Sequence, residues 1–256
     1  MWNVFATPPL NLAVHRWCYP VAGCVGYRGY YDRAQAREYA QRLSAQGLDV
    51  AVLPVPAYST LGWFDDPLLS TFIHRSAFDL ANLMFHELAH QKFYLKGDTA
   101  LNESYATVVA SKGVEQWLRE RDEPELLARY FKTMNAREQI RALLRETRQS
   151  LAQLYDTTQT ARLQLEPEGL EGLEDKRAQK RQIIQSFQQR YRQLVMQAFG
   201  RIRSQDVWLS SELNNAHFAS VGLYDQWVGA LSYRFDELGD WASFYETMQR
   251  LEQMVS

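Results

Sequence analysis

The chain lacks any apolar run long enough to cross a bilayer, and its start does not read as a signal peptide. A membrane-spanning helix within these residues is therefore not expected. It also lacks a charge excess of either sign. The net charge is −2 and the pI about 6.2, with acids and bases interspersed. That removes the electrostatic footprint of a nucleic-acid or membrane-surface partner. No internal repeat or low-complexity tract is present. Cysteine is nearly absent too, with only Cys18 and Cys24, and neither C-x-x-C nor a Cys/His cluster occurs. Dithiol redox chemistry and a cysteine-based zinc cluster are thereby excluded.

What remains is an ordinary globular composition, 46% hydrophobic and 23% charged, ample to build a core. Aromatics reach 13% with seven Trp and gather toward both ends, as a compact core or a substrate cleft requires. Pro20 and Gly23 favour a turn between the two cysteines. A small-loop disulfide is the expected result, with a pair of packed thiols as the alternative. Such a disulfide suits an oxidising compartment such as the bacterial periplasm.

The richest segment is Phe85-His86-Glu87-Leu88-Ala89-His90, followed by Asn102-Glu103. Residues four apart share a helix face, so His86 and His90 can hold one ion. No Pro or Gly interrupts residues 76–96, which predicts a buried helix. Lys96-Gly97 reads as its end. Asp98 or Thr99 then caps a second helix, with Thr99 and Asn102 resembling a capping box. Glu103 falls about one turn into that helix and can swing back as a third ligand. Two imidazoles and a carboxylate suit Zn2+ and leave a fourth position for water, with Glu87 placed as general base. No third histidine extends the motif to H-E-x-x-H-x-x-G-x-x-H. Two His and one Glu is the expected ligand set.

Around this segment the chain reads as a predominantly helical α+β fold. A small N-terminal sheet packs on the metal-binding helix, and a long antiparallel helical arm follows. We expect one catalytic domain over residues 1–256. Within it, 1–75 form a mixed edge-sheet part, 76–120 the metal-binding helix pair, 121–205 the arm, and 206–256 helices returning to the cleft. Strands are expected near Trp2 to Phe5, Val21 to Tyr30 and Asp49 to Val55, the last at an edge because of Pro54 and Pro56. Asp32 caps a helix closed by Gly47. Arm helices are expected from Val114 to about Leu163 and from Asp175 to about Arg203, with a turn at Glu166 to Gly172. Ser210 or Ser211 is expected to cap a last helix running through Asn214, Asn215, His217 and Tyr224 to Trp227.

The segment His86-Glu87-x-x-His90 with Asn102-Glu103 is similar to the gluzincin arrangement of thermolysin-type and aminopeptidase-type zinc enzymes. Five stretches together resemble the bacterial putative aminopeptidase family: WCYPVAGCVGYRGYYD (17–32), AYSTLGWFDDPLL (57–69), FHELAHQKFY (85–94), GDTALNESYATVV (97–109) and LNNAHFASVGLYDQWV (213–228). The resemblance implies a zinc site at His86, His90 and Glu103 with Glu87 catalytic, and it implies that Asn214 and Asn215 line the cleft. It further implies an export or lipoprotein signal before Met1 in natural relatives, so a longer natural form, exported or lipid-anchored, is expected. One departure stands out. The acid that thermolysin-like enzymes carry four residues beyond the glutamate ligand is Thr107 here, so the imidazoles must be oriented from elsewhere, with Asp79, Asp98 and Asn102 as candidates.

The expected activity is hydrolysis of peptide bonds, with removal of N-terminal residues favoured. Tyr224, then His217 and Tyr233, are candidates to donate to the oxyanion. Tyr58 lies in the candidate edge that binds extended peptide. Asp65 and Asp66 could hold the substrate's α-ammonium. A zinc endopeptidase and a non-catalytic periplasmic binding protein are the competing readings. A peptide is the expected partner, with no nucleic acid.

Overall fold

The computed structural model describes residues 1–19, 23–54, 76–155, 169–202, 206–221 and 227–255. The expected edge at 57–62, with Tyr58, Asp65, Asp66 and Tyr224, lies outside them. The contacts divide the chain into two compact units, one of residues 1–55 and 132–221, the other of residues 56–131 and 222–256.

The first unit is built on a three-stranded antiparallel sheet. Strand β1 (Trp2–Thr7) lies between β4 (Arg28–Tyr30) and β5 (Asp49–Pro54), which leaves β5 at an edge, where Pro54 is tolerated. A hairpin of β2 (Trp17–Tyr19) and β3 (Gly23–Val25) sets Cys18 opposite Cys24, and a disulfide joins them. Helix α1 (Arg33–Ala45) starts at Asp32, whose carboxylate accepts from Gln35 N, and Gly47 beyond its end takes φ 83°. Alternation along β1 buries both faces. Val4 and Ala6 pack on Ala36 and Leu43 of α1, and Asn3, Phe5 and Thr7 point the other way.

Helix α4 (Pro124–Leu154) enters this unit at Lys132 and pairs with α5 (Gly169–Phe199). The pairing is antiparallel. Lys176 Nζ reaches Leu154 O at 2.6 Å near one end, and Arg190 meets Glu146 further along. Leu143, Leu144 and Leu151 interlock with Ile184, Phe187, Tyr191 and Val195 between them. A short 3-10 turn (Val207–Leu209) and α6 (Asn215–Val221) complete the unit.

The second unit holds α2 (Ala77–His90), α3 (Thr99–Glu120), the first turns of α4, α7 (Val228–Leu238) and α8 (Trp241–Val255). Its core joins Phe93, Leu95, Leu101, Tyr105 and Val109 to Phe244 and Met248. The predominantly helical α+β class expected from the sequence is the one observed.

Four boundaries differ from expectation, each for a physical reason. Helix α2 ends at His90 rather than Lys96 because the chain turns to bury Phe93 and Leu95. It is also only partly buried, with Met84 and Leu88 exposed. The middle is not continuous from Val114. Asp122 adopts φ 51° and Pro124 opens α4, so α3 stops at Glu120. The expected turn at 169–172 is already helix α5. Near the C-terminus, Ser210 Oγ accepts from Glu212 N in a loop, and Asn214 Oδ1 meets Ala216 N at the start of α6. The cap is therefore Asn214, not Ser210 or Ser211.

Candidate metal centre

Helix α2 begins at Ser76, whose hydroxyl accepts from Asp79 N and donates to Asp79 Oδ2 at 2.7 Å. Three turns on, His86 and His90 emerge on one face, their rings edge to face with centroids 5.1 Å apart. Helix α3 begins at Asp98, whose carboxylate accepts from Leu101 N at 2.9 Å. The Asn102 side chain accepts from Leu95 N and donates to Leu95 O, both at 2.8 Å, which pins the loop between the two helices. Glu103, the next residue, is thereby aimed back at α2.

Glu103 Oε2 lies 3.2 Å from His86 Nε2, and Oε1 lies 3.8 Å from His90 Nε2. One ligand atom from each of the three residues falls within 4.8 Å of the others. Tetrahedral zinc with bonds of 2.0–2.1 Å would set its donors about 3.3 Å apart, so the cluster fits a metal of that size with little adjustment. Burial pushes the Glu103 carboxyl upward, but the hydrogen bond from His86 and the charges of both imidazoles outweigh it and hold the group below its ordinary value. Burial holds His90 below its ordinary value, against the pull of Glu103. An ionised carboxylate beside a neutral imidazole is the state a metal requires.

The cluster is open on one side. The His90 side chain is 7% exposed, whereas His86 and Glu103 keep 22% and 28%. Glu87 is half-buried beside His86. His90 Nδ1 is buried and has no hydrogen-bond partner among the described residues. Asp98 and Asn102, expected to orient an imidazole, serve α3 and Leu95 instead, and Asp79 bonds Ser76.

Asn214 and Asn215 lie in the first unit, committed to its framework. Asn214 Nδ2 donates to Val50 O at 2.9 Å. Asn215 is fully buried. Its Nδ2 reaches the carbonyls of Pro8, Pro9 and Asn11, its Oδ1 accepts from Tyr155 Oη at 2.9 Å, and its backbone N donates to Asp49. Lys180, paired with Asp49 and donating to Pro9 O, closes the knot. Sequence reasoning missed Lys180, Asp49 and Tyr155, because nothing local distinguishes a lysine in a charged helix from one buried in a network. Tyr233 is an exposed residue of α7.

His217 is buried in the same unit with Nδ1 against Asn214, and burial lowers its pKa from 6.5 to about 4. Between those values the unfolded chain takes up a proton that the folded chain refuses. Stability is therefore full above the higher value and falls as pH drops toward the lower, by roughly 3 kcal/mol from this residue. Urea midpoints at about pH 7.5 and about pH 5 should differ less in His217→Gln than in the unaltered chain. An equal drop in both would contradict the assignment.

A predominantly helical α+β protein with a His–His–Glu cluster on an αα-hairpin belongs to the class of proteins that could hold a metal ion there. More particularly, the chain belongs to the family described as "Putative aminopeptidase", which matches residues 1–256. No curated protein and no solved structure matches it.

Proposed function

We propose that this protein is a zinc-dependent peptidase, and specifically an aminopeptidase, with His86, His90 and Glu103 as metal ligands and Glu87 as general base. The observation that carries the reading is the convergence of three ligand atoms within 4.8 Å, from α2, which also carries Glu87, and from α3. Membership of the family supports the peptidase part. Zinc bound there would supply Lewis-acid polarisation of the substrate carbonyl and lower the pKa of a water toward about 7.

The chain's own residues supply the rest. Glu87 accepts the proton of the attacking water as its oxygen bonds to the carbonyl carbon, then passes that proton to the amine as the C–N bond breaks. Tyr224 is the proposed donor to the oxyanion, and Tyr58 the proposed contact to the peptide. Tyr224 stands three residues before Trp227, whose backbone N donates to Ser104, the neighbour of Glu103. Asn214 and Asn215 enter the reading as supports of the sheet. The Cys18–Cys24 disulfide supports an oxidising compartment, for which we propose the periplasm. Among the described residues no helix is long and apolar enough to cross a membrane.

The test is digestion of a mixed peptide library by zinc-loaded protein, comparing free and acetylated amino termini by mass spectrometry. Stepwise loss of N-terminal residues from free peptides alone is the expected result. Internal cleavage of both sets would overturn the aminopeptidase assignment, and no cleavage by zinc-loaded protein would overturn the peptidase reading.

A further inference from the structure

Helices α2 and α3 run antiparallel. His86 and His90 face Glu103 near the connecting loop, while Phe85 packs against Gly113, further along α3, where an added Cβ would sit 3.1 Å from its ring. Each residue of a helix is turned about 100° from the one before. Viewed from one end of an antiparallel pair, one helix winds clockwise and the other anticlockwise. The residue that follows a facing residue therefore lies on the same side in both. Glu87 follows His86 and Ser104 follows Glu103, so Ser104 sits on the flank of the cluster that carries Glu87.

Ser104 is fully buried, and its Oγ accepts a hydrogen bond from Trp227 N at 3.1 Å. Trp227 begins α7 with no side-chain cap of its own, so this serine anchors the start of the helix. The backbone of Trp227 is thus held one hydrogen bond from the neighbour of Glu103, on the flank of the general base. Its side chain differs from the packed aromatics of α7 and α8, and like Tyr94 and Tyr233 of this unit it is exposed. Phe235, Trp241, Phe244 and Tyr245 pack on one another, whereas Trp227 stands outside that cluster and is 42% exposed. An indole whose backbone is pinned to the neighbour of Glu103 and which is left part-open offers a flat apolar surface at low entropic cost.

We propose that Trp227 is a specificity-determining residue of this site, its indole forming the wall that receives a large apolar or aromatic side chain next to the bond being cut. The inference rests on the reading given under Proposed function and names the substrate class: peptides bearing a bulky apolar residue at the cleavage position. Sequence offered no signal for it beyond the presence of a tryptophan in the last of the family-like stretches.

The test is equilibrium binding by calorimetry of phenylalanine hydroxamate and glycine hydroxamate to zinc-loaded protein in a Glu87→Gln background, with zinc content and thermal midpoint measured on every sample. Trp227→Ala should weaken phenylalanine hydroxamate by about tenfold or more and glycine hydroxamate by less than about threefold, as loss of one aromatic contact implies. Trp227→Phe should recover most of the difference, which a merely structural role would not produce. Equal weakening of both probes in folded, zinc-replete protein, or no weakening of either, would overturn the inference and leave the metal site standing. Protein that takes up no zinc would remove the reading beneath it, and the inference with it. Discrimination between the hydroxamates without cleavage of any peptide would leave Trp227 as a recognition residue and remove only the peptidase assignment.

Discussion

Zinc-loaded Glu87→Gln is expected to keep its metal and lose turnover by about 10²–10⁴-fold, the usual contribution of a positioned acid–base group. The amide matches the carboxylate in size and still hydrogen-bonds, but it cannot take a proton from water. Glu87 is separated from the ligand role by geometry. It is turned about 100° away from His86 around α2, while Glu103, His86 and His90 close on one another. Metal content by elemental analysis, measured beside kcat on a peptide the unaltered protein cleaves, separates the two roles. Full metal with full turnover would show that another group serves as base.

Replacing a ligand should do the reverse. Glu103→Ala, His86→Ala and His90→Ala are each expected to lower zinc affinity by more than about a hundredfold, beyond the 10–100-fold typical of changes to groups that only orient a ligand. Glu103 carries the largest expected effect because it alone meets both imidazoles, at 3.2 and 3.8 Å. His90→Ala should also lower stability without metal, since its ring is nearly buried and its removal leaves a cavity. Zinc that binds only the folded chain stabilises it by about 4 kcal/mol at a thousandfold excess over Kd. A rise in thermal midpoint on adding zinc should therefore appear in the unaltered chain and vanish in Glu103→Ala. A retained rise in that variant would place the metal elsewhere.

The parts of this arrangement that were legible in the sequence are those set by short spacing. The i, i+4 pair of histidines, the cap at Asp98 and the position of Glu103 about one turn into α3 all depend on contacts within a few residues. The end of α2 did not, because the loop is held by Asn102 reaching back seven residues to Leu95. The break at Asp122 left a readable mark in Pro124, yet good helix formers on both sides mask it. The knot of Lys180, Asp49, Tyr155 and Asn215 joins residues 131 and 166 positions apart, and no local pattern encodes such a meeting. For the same reason the staple that Asn215 forms in the fold is not legible in the sequence, where the family resemblance implies a place for it in the cleft. Likewise, Ser104 is an ordinary helix residue until Trp227 is set beside it.

X-ray absorption at the zinc edge on the washed, zinc-loaded chain tests the metal centre most directly. The account predicts one zinc per chain with nitrogen and oxygen neighbours at about 2.0–2.2 Å, two of them imidazoles, and loss of that signal in Glu103→Ala. Zinc that washes away from the unaltered chain, or an unchanged spectrum in Glu103→Ala, would contradict it.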